Sequence, residues 1–316
     1  MAQQYAIGVD LGGTTVKSGL VDSDGTIVAQ NKFPTRAEEN PAAVVGQIKK
    51  SIQELVNGAG ERDIVGIGLG TPGIVQNPGG IVKSPPNFKG WDIVDVGGEL
   101  ARTFSMNVEV DNDANVAAVA ESKFGAGKDH PNFLFIIWGT GVGGGIIMDG
   151  KIYQGPHGGA GEVGHISIKY DGLQCNCGTK GCVEAYIGQK YLSNRTIEKL
   201  KTNPSSKILE LVGGDISKVE PIFISKAAEA GDTLARDILV EAGTLLGVAI
   251  GGVMNTLDFR ITIIGGGVSA VGDFVYEAIR ESVVHNVQKP LRDGIRILRA
   301  HKGNDAGMLG AAGLVL

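Results

Sequence analysis

The chain has 316 residues, 42% of them hydrophobic and 20% charged, with a formal net charge of −5. This fits a soluble globular protein of two domains or one large one. It argues against nucleic-acid binding, because no basic arm or tail offsets the acidic balance. The 50 glycines have no collagen-like period, so they point to tight turns and close backbone approaches.

The first residues, "MAQQYAIGVD", hold neither a basic region nor an apolar signal core, so a cytoplasmic protein is expected. From Tyr5, "YAIGVDLGGTTVKSGLVDSDGTIVAQNKF" alternates apolar and small residues, with turn signals at Gly12-Gly13 and Asp24-Gly25. It predicts three consecutive antiparallel strands. A helix over residues 41–57 follows, with Val44, Val45, Ile48, Ile52 and Leu55 on one face. Next come a buried strand, "IVGIGLG", a Pro- and Gly-rich loop, and a short strand "NVEVD" leading into the helix "ANVAAVAESKFG".

The pattern then restarts. "FLFIIWGTGVGGGIIMDGKIYQG" again reads strand, glycine turn, strand, Asp-Gly turn, strand, which implies an internal duplication. An irregular insertion is expected over residues 156–192. Helices follow, one over 233–256, then a strand "RITIIGG", a helix over 271–287, and a closing helix capped by Asn304 or Asp305. The longest apolar run, residues 245–254, is too short to cross a bilayer, so no membrane is expected. Gly243, Gly247 and Gly251 read as a close packing face between two soluble helices. The result is two α/β domains of related design, with glycine turns facing each other across a cleft. The expected boundaries are 1–118, with 304–316 packing back on it, and 119–303, which carries the insertion.

Two stretches, "GLGTPG" and "GTGVGG", fit G-x-G-x-x-G. A dinucleotide site needs a helix to start there. Neither continuation is helical, so both are set aside. The alternative is phosphate gripped by hairpin turns, whose backbone N–H groups point outward. Gly12, Gly13 and Thr14 make one such turn, with Asp10 before it to hold magnesium through water and Thr15 after it. Gly139, Thr140 and Gly141 make the second. Gly265, Gly266 and Gly267 would let an adenosine rest on bare backbone at a strand end opening into a helix. Any one of these alone is more readily an ordinary turn. Three of them, two inside a repeat, favour the phosphate reading.

"VDNDANVAA" puts Asn112 and Asp113 at a strand end before a helix. Asp113 suits both a helix N-cap and a general base, and the two roles are compatible. Asn112 suits a sugar hydroxyl, having both a donor and an acceptor. Glu162 and His165 stand three apart in "GAGEVGHISI". Ten residues on, Cys175, Cys177 and Cys182 form C-x-C-x4-C, and they are the only cysteines in the chain. With His165 they make a Cys3His set, a common closed structural zinc site. Glu184 would be held at the same place. The plain alternative is three free buried thiols.

"DLGGTTVK", "VDNDANVAA", "GTGVGGG", "GEVGH" and "CNCGTKGCVEAY", in that order, resemble the ROK family of sugar kinases and sugar-responsive repressors. The resemblance implies an α/β fold, the actin-like (ribonuclease H-like) duplicated two-domain sugar kinase fold. It implies ATP with Mg2+ and a structural Zn2+, and phosphorylation of the 6-hydroxyl of glucose. Other hexoses such as N-acetylmannosamine or N-acetylglucosamine are alternative acceptors. It implies Asp113 as catalytic base, with Gly73, Asn112, Glu162, His165 and Glu184 as sugar ligands. Lys17 joins the phosphate group of residues, because some relatives carry Lys where this chain has Thr15. A repressor would carry an added helix-turn-helix domain, and here the first strand starts at Tyr5. A homodimer or homotetramer is also implied.

Overall fold

A computed structural model describes residues 3–316. Its first three strands are β1 (Tyr5–Leu11), β2 (Thr15–Asp22) and β3 (Ile27–Pro34), followed by helix α1 (Pro41–Gly58). Asn40 caps α1 by accepting from the Ala43 N–H at 3.0 Å, and Pro41 fills the first helical position, where no N–H is needed. The predicted face, Val44 to Leu55, is the one it buries.

After β4 (Ile64–Thr71) come three short strands, β5 (Ile74–Gln76), β6 (Ile81–Lys83) and β7 (Ile93–Asp95), then α2 (Val96–Phe104). The sequence predicts only a loop before β8 here. Each of these strands spans three residues, too few for alternation to show. The chain continues with β8 (Val108–Asn112), α3 (Asp113–Phe124), β9 (Phe133–Trp138), β10 (Val142–Met148) and β11 (Lys151–Ile152). Then follow α4 (Glu184–Ile187), α5 (Gln189–Leu200), α6 (Lys207–Leu211), α7 (Pro221–Glu229) and α8 (Thr233–Leu257). The last elements are β12 (Ile261–Gly265), α9 (Asp273–Asn286), β13 (Arg296–Arg299) and α10 (Ala306–Gly313). Helix α5 begins at Gln189, so the irregular insertion ends before residue 192.

The duplication is visible in the sheets. One has the order β3-β2-β1-β4-β8 and the other β11-β10-β9-β12-β13. Both are an antiparallel meander with two later strands added beside its first member. In the first sheet β4 runs parallel to β1, and β8 parallel to β4. The contacts divide the chain into two compact units. Unit 1 comprises the described residues through Phe135, with Gly145–Gly161 and Ala300–Leu316; unit 2 comprises Ile136–Gly144 and Glu162–Arg299. Helix α3 runs unbroken past residue 118 and stays whole within unit 1.

Helix α10 lies on β1, β4 and α3 within unit 1. Glycine makes this approach possible. A Cβ on Gly68 would sit 1.7 Å from the Ala311 carbonyl oxygen, and one on Gly8 would sit 2.0 Å from that of Met308. On the helix itself, a Cβ at Gly310 would meet the Val116 oxygen of α3 at 1.6 Å. Asp305 stands at the N-cap position of α10, but neither it nor Asn304 makes the expected side-chain cap; a 3-10 turn, Gly303–Asp305, leads in instead.

Unit 2 has its own version of this packing. Gly243, Gly247 and Gly251 of α8 face α9, where added Cβ atoms would meet Val275, Ser282 and Asn286 at 3.0, 2.5 and 2.9 Å. The whole 25-residue helix reaches a mean hydropathy of 1.6 over its most apolar stretch. By length and composition it could cross a membrane, which the shorter apolar run does not suggest; it is the one such helix among the described residues, and 61% of that stretch is buried inside the protein.

Gly68→Ala should destabilise the protein by about 1–3 kcal/mol or more, because the facing atoms are backbone and cannot turn away. Gly46→Ala, on the exposed side of α1 with nothing near its missing Cβ, should stabilise it by about 0.5–1 kcal/mol. Urea unfolding of the two variants beside the wild type measures both.

Candidate active site

In unit 1, the turn from β1 to β2 closes with the Gly12 N–H donating to the Thr15 oxygen at 3.0 Å. Gly13 and Thr14 are exposed at its tip, and a Cβ on Gly13 would meet nothing. The turn is held from behind by Thr35, which is fully buried. Its hydroxyl donates to the Gly12 oxygen at 2.6 Å and its N–H to the Thr14 oxygen at 3.0 Å. Thr35 was not visible as a support of this turn in the sequence, because it lies 23 positions from Gly12, at the far end of the meander. Asp10 and Lys17 are cross-strand partners, with Nζ 4.0 Å from Oδ2. Burial pushes the Asp10 carboxyl above its usual range, and Lys17 pulls it partly back. Lys17 therefore serves Asp10 directly.

At the β8–α3 junction the N-cap is Asn112, not Asp113. Its Oδ1 accepts from the Ala114 N–H at 2.9 Å, and its Nδ2 donates to the Gly73 oxygen at 2.9 Å. Asp113 is the first residue of α3, exposed, with Oδ1 accepting from the Ala114 N–H at 2.8 Å. Its position at the helix N-terminus favours the ionised form. Gly73 has φ +92°, and a Cβ there would meet the Lys83 oxygen at 2.8 Å. The structure thus brings Gly73, Asn112 and Asp113 together.

Asp111, which the sequence reading passed over, organises this junction from beneath. It is 2% exposed and accepts from the Asn112 N–H, the Asn115 side chain and the Gln154 side chain at 2.7, 2.8 and 2.7 Å. Burial pushes its carboxyl up, and those three bonds pull against the rise. The signal that could have found it is an acid two residues before Asp113 at the end of an apolar strand, with Asn at i+4.

In unit 2, the turn from β9 to β10 closes with the Gly139 N–H donating to the Gly141 oxygen at 2.9 Å. Gly266, at φ +94°, lies against β9: its Cβ would fall 2.4 Å from the Trp138 oxygen. Gly139 and Gly267 are also neighbours, at 3.8 Å from the built Cβ to the Gly267 nitrogen. The two predicted glycine sites of this unit therefore adjoin. The glycine stretch does not open a helix directly: a 3-10 turn, Gly267–Ser269, follows β12, and α9 starts only at Asp273. Arg299 braces the intervening backbone. It donates to the Ser269 and Val271 oxygens at 3.2 and 2.8 Å and stacks on Tyr276.

The four proposed metal ligands of unit 2 converge. Their ligand atoms all lie within 4.8 Å of one another. The Cys177 and Cys182 sulfurs are 3.6 Å apart, and Cys175 Sγ is 3.7 Å from His165 Nδ1. These separations rule out disulfides but match the edges of a tetrahedron with Zn–S about 2.3 Å and Zn–N about 2.0–2.1 Å. The donor set fits a structural zinc, with no ligand position left for water. The other ring nitrogen, Nε2, looks to the Glu162 carboxylate at 3.9 Å. Glu184 follows Cys182 by two residues, and its Oε2 accepts from the Val142 N–H at 2.9 Å. Burial pushes the Cys175 thiol up to about 12, while hydrogen bonds from Thr179 hold Cys177 down to about 6.

Residues 6–316 match the family description "ROK family". The chain belongs to the ROK family. Among its ROK relatives, it is 35% identical to a glucokinase of Thermotoga maritima, aligned over 100% of this chain and 98% of that protein. A Streptomyces coelicolor glucokinase is 36% identical over 98% of this chain and 96% of its own length. The crystal structure of a ROK family glucokinase from Streptomyces griseus, in complex with glucose and AMPPNP, superposes with a TM-score of 0.82. It is 33% identical, covering 98% of this chain and 99% of that one. The fold is accordingly the actin-like two-domain fold of ROK sugar kinases.

Zinc added to metal-free protein at about pH 7.5 should release protons, since Cys175 is protonated there and must ionise to bind. Affinity measured by chelator competition should weaken as pH falls through about 6, where Cys177 also takes up a proton. A pH-independent affinity would count against these thiols as ligands.

Proposed function

We propose that this ROK-family chain transfers the γ-phosphoryl group of ATP to the 6-hydroxyl of glucose. The observation that carries the reading is the Asn112–Asp113 pair at the β8–α3 junction, in a chain alike from end to end to glucokinases. One such relative holds both glucose and AMPPNP, whose nitrogen bridge stands where ATP has an oxygen.

In unit 1, Asp113 accepts the proton of the sugar hydroxyl as the new O–P bond forms and ADP departs. A loose transition state needs little push from the base, so a carboxylate kept ionised at a helix start suffices. Asn112 and Gly73 position the sugar. The Gly12–Thr15 turn binds phosphate oxygens with backbone N–H groups and hydroxyls. Magnesium bound with ATP would neutralise charge on the phosphates, and Asp10 would help to hold it. Lys17 tempers the cost of burying Asp10.

In unit 2, Gly139, Thr140 and Gly141 bind phosphate, and Gly265, Gly266 and Gly267 carry the adenosine. Glu162, His165 and Glu184 bind sugar hydroxyls. His165, Cys175, Cys177 and Cys182 would hold a structural zinc, which would order that loop and supply no bond-making chemistry. The chain acts in the cytoplasm and assembles as a homodimer or homotetramer, which light scattering reads out.

Asp113→Asn should leave glucose binding largely intact and cut turnover by roughly 10²- to 10⁴-fold. A variant keeping more than about a tenth of wild-type turnover would remove Asp113 as the base. Phosphorylation rates over a hexose panel, with glucose fastest, test the substrate.

A further inference from the structure

The Gly139–Val142 turn of unit 2 is not held by its own hairpin bond alone. Three bonds weld it to the segment that follows the cysteines. The Val142 N–H donates to Glu184 Oε2 at 2.9 Å, the Gln189 N–H to the Gly139 oxygen at 3.1 Å, and the Trp138 indole to the Ile187 oxygen at 2.9 Å. Val142 is also met from the other side. A Cβ on Gly164, the residue before His165, would fall 1.9 Å from the Val142 oxygen. Both arms of the metal loop, one ending at His165 and one at Cys182, thus come to rest on this single residue.

Glu184 is the odd member. A carboxylate beside a turn that receives phosphate is electrostatically unfavourable, and nothing about a sugar ligand requires it to touch the turn. Yet the turn is shaped around it: a Cβ on Gly141 would sit 2.4 Å from Oε2. We infer that Glu184 is a positioning residue for the phosphoryl-donor turn, with Oε2 fixing Val142 and Oε1 left for the sugar. This rests on the proposed sugar kinase reading for what the turn and Oε1 bind. One side chain then couples the two substrates: sugar that orders the Glu184 carboxylate also orders the backbone that takes phosphate.

The test measures binding of a fluorescent ATP analogue to zinc-loaded protein with no sugar present. Glu184→Ala should weaken nucleotide binding roughly tenfold, the size of one lost charge-assisted hydrogen bond. Glu184→Gln keeps a carbonyl oxygen for the Val142 N–H. It should bind nucleotide within about threefold of wild type while its KM for glucose rises. Gly141→Ala should push the carboxylate off Val142 and mimic Glu184→Ala, and the double variant should add little to either single one. Zinc content and Tm accompany each variant. If Glu184→Ala misfolds, Glu184→Asp takes its place: it keeps the charge but is one methylene too short for the Val142 N–H, and weakened nucleotide binding there with retention in Glu184→Gln supports the inference. Wild-type nucleotide affinity in Glu184→Ala, or in Glu184→Asp where it takes that place, overturns it. Wild-type protein that binds nucleotide but phosphorylates no hexose would overturn the glucose kinase reading and leave the nucleotide comparison standing.

Discussion

Two glycines, Gly8 on β1 and Gly68 on β4, leave room for carbonyl oxygens of α10 to occupy the space where Cβ atoms would be. Much of unit 1 follows from that backbone-to-backbone contact. It fixes α10 against the central strands, and Gly310 in turn seats α10 on α3. The start of α10 then reaches Asp10: a Cβ on Gly307 would touch its carboxyl group. The glycine turn after β1 and the acid at the start of α3 are thereby referred to one helix. Glu121, fully buried, completes the frame by accepting from the Ala126, His301 and Lys302 N–H groups at 2.8, 2.9 and 2.7 Å. An unmet carboxylate at that depth would be costly, so the segment entering α10 has little freedom.

The two sheets show one topology used twice with different supports. Each sheet places a glycine turn between the first two strands of its meander. In unit 1 that turn is backed by Thr35, a side chain of the same meander's end. In unit 2 it is backed by the segment after the cysteines, through Glu184 and Gln189. The support in unit 2 is therefore borrowed from an irregular loop. That loop has a small apolar cluster of its own, Cys175, Cys182 and Ala185, with Tyr186 and Tyr191 against it. So little buried surface cannot order so many glycines, which is the physical case for a metal there.

Buried acids recur in this structure as organisers. Asp111 and Glu121 each collect three N–H donors, and the half-buried Glu184 holds one. In each instance a carboxylate fixes backbone that must stay put for a neighbouring group to be presented. Asp111 does this for Asn112, leaving Asp113 at the surface. Charge is used here for placement of the neighbouring chain.

Much of this was legible in the sequence. The three-strand meanders, α1, α3, the glycine turns and the Cys3His set are local patterns, set by alternation, turn residues and spacing along a few dozen residues. The four metal-ligand candidates named from the spacing, His165, Cys175, Cys177 and Cys182, are the four that the structure gathers. What tertiary structure alone decided lies between distant segments. The β5–β7 sheet and β13 are too short to carry a period. The cap at Asn112 in place of Asp113 depended on Gly73, 39 residues earlier, taking the other end of the amide. Asp111 looks like any strand-end acid until Gln154 arrives beside it. The hold of Glu184 on Val142 spans 42 positions. A sequence displays which groups can donate and accept; only the folded chain decides which of them meet, because that choice is made by packing backbone against backbone at glycines that carry no side chain to announce it.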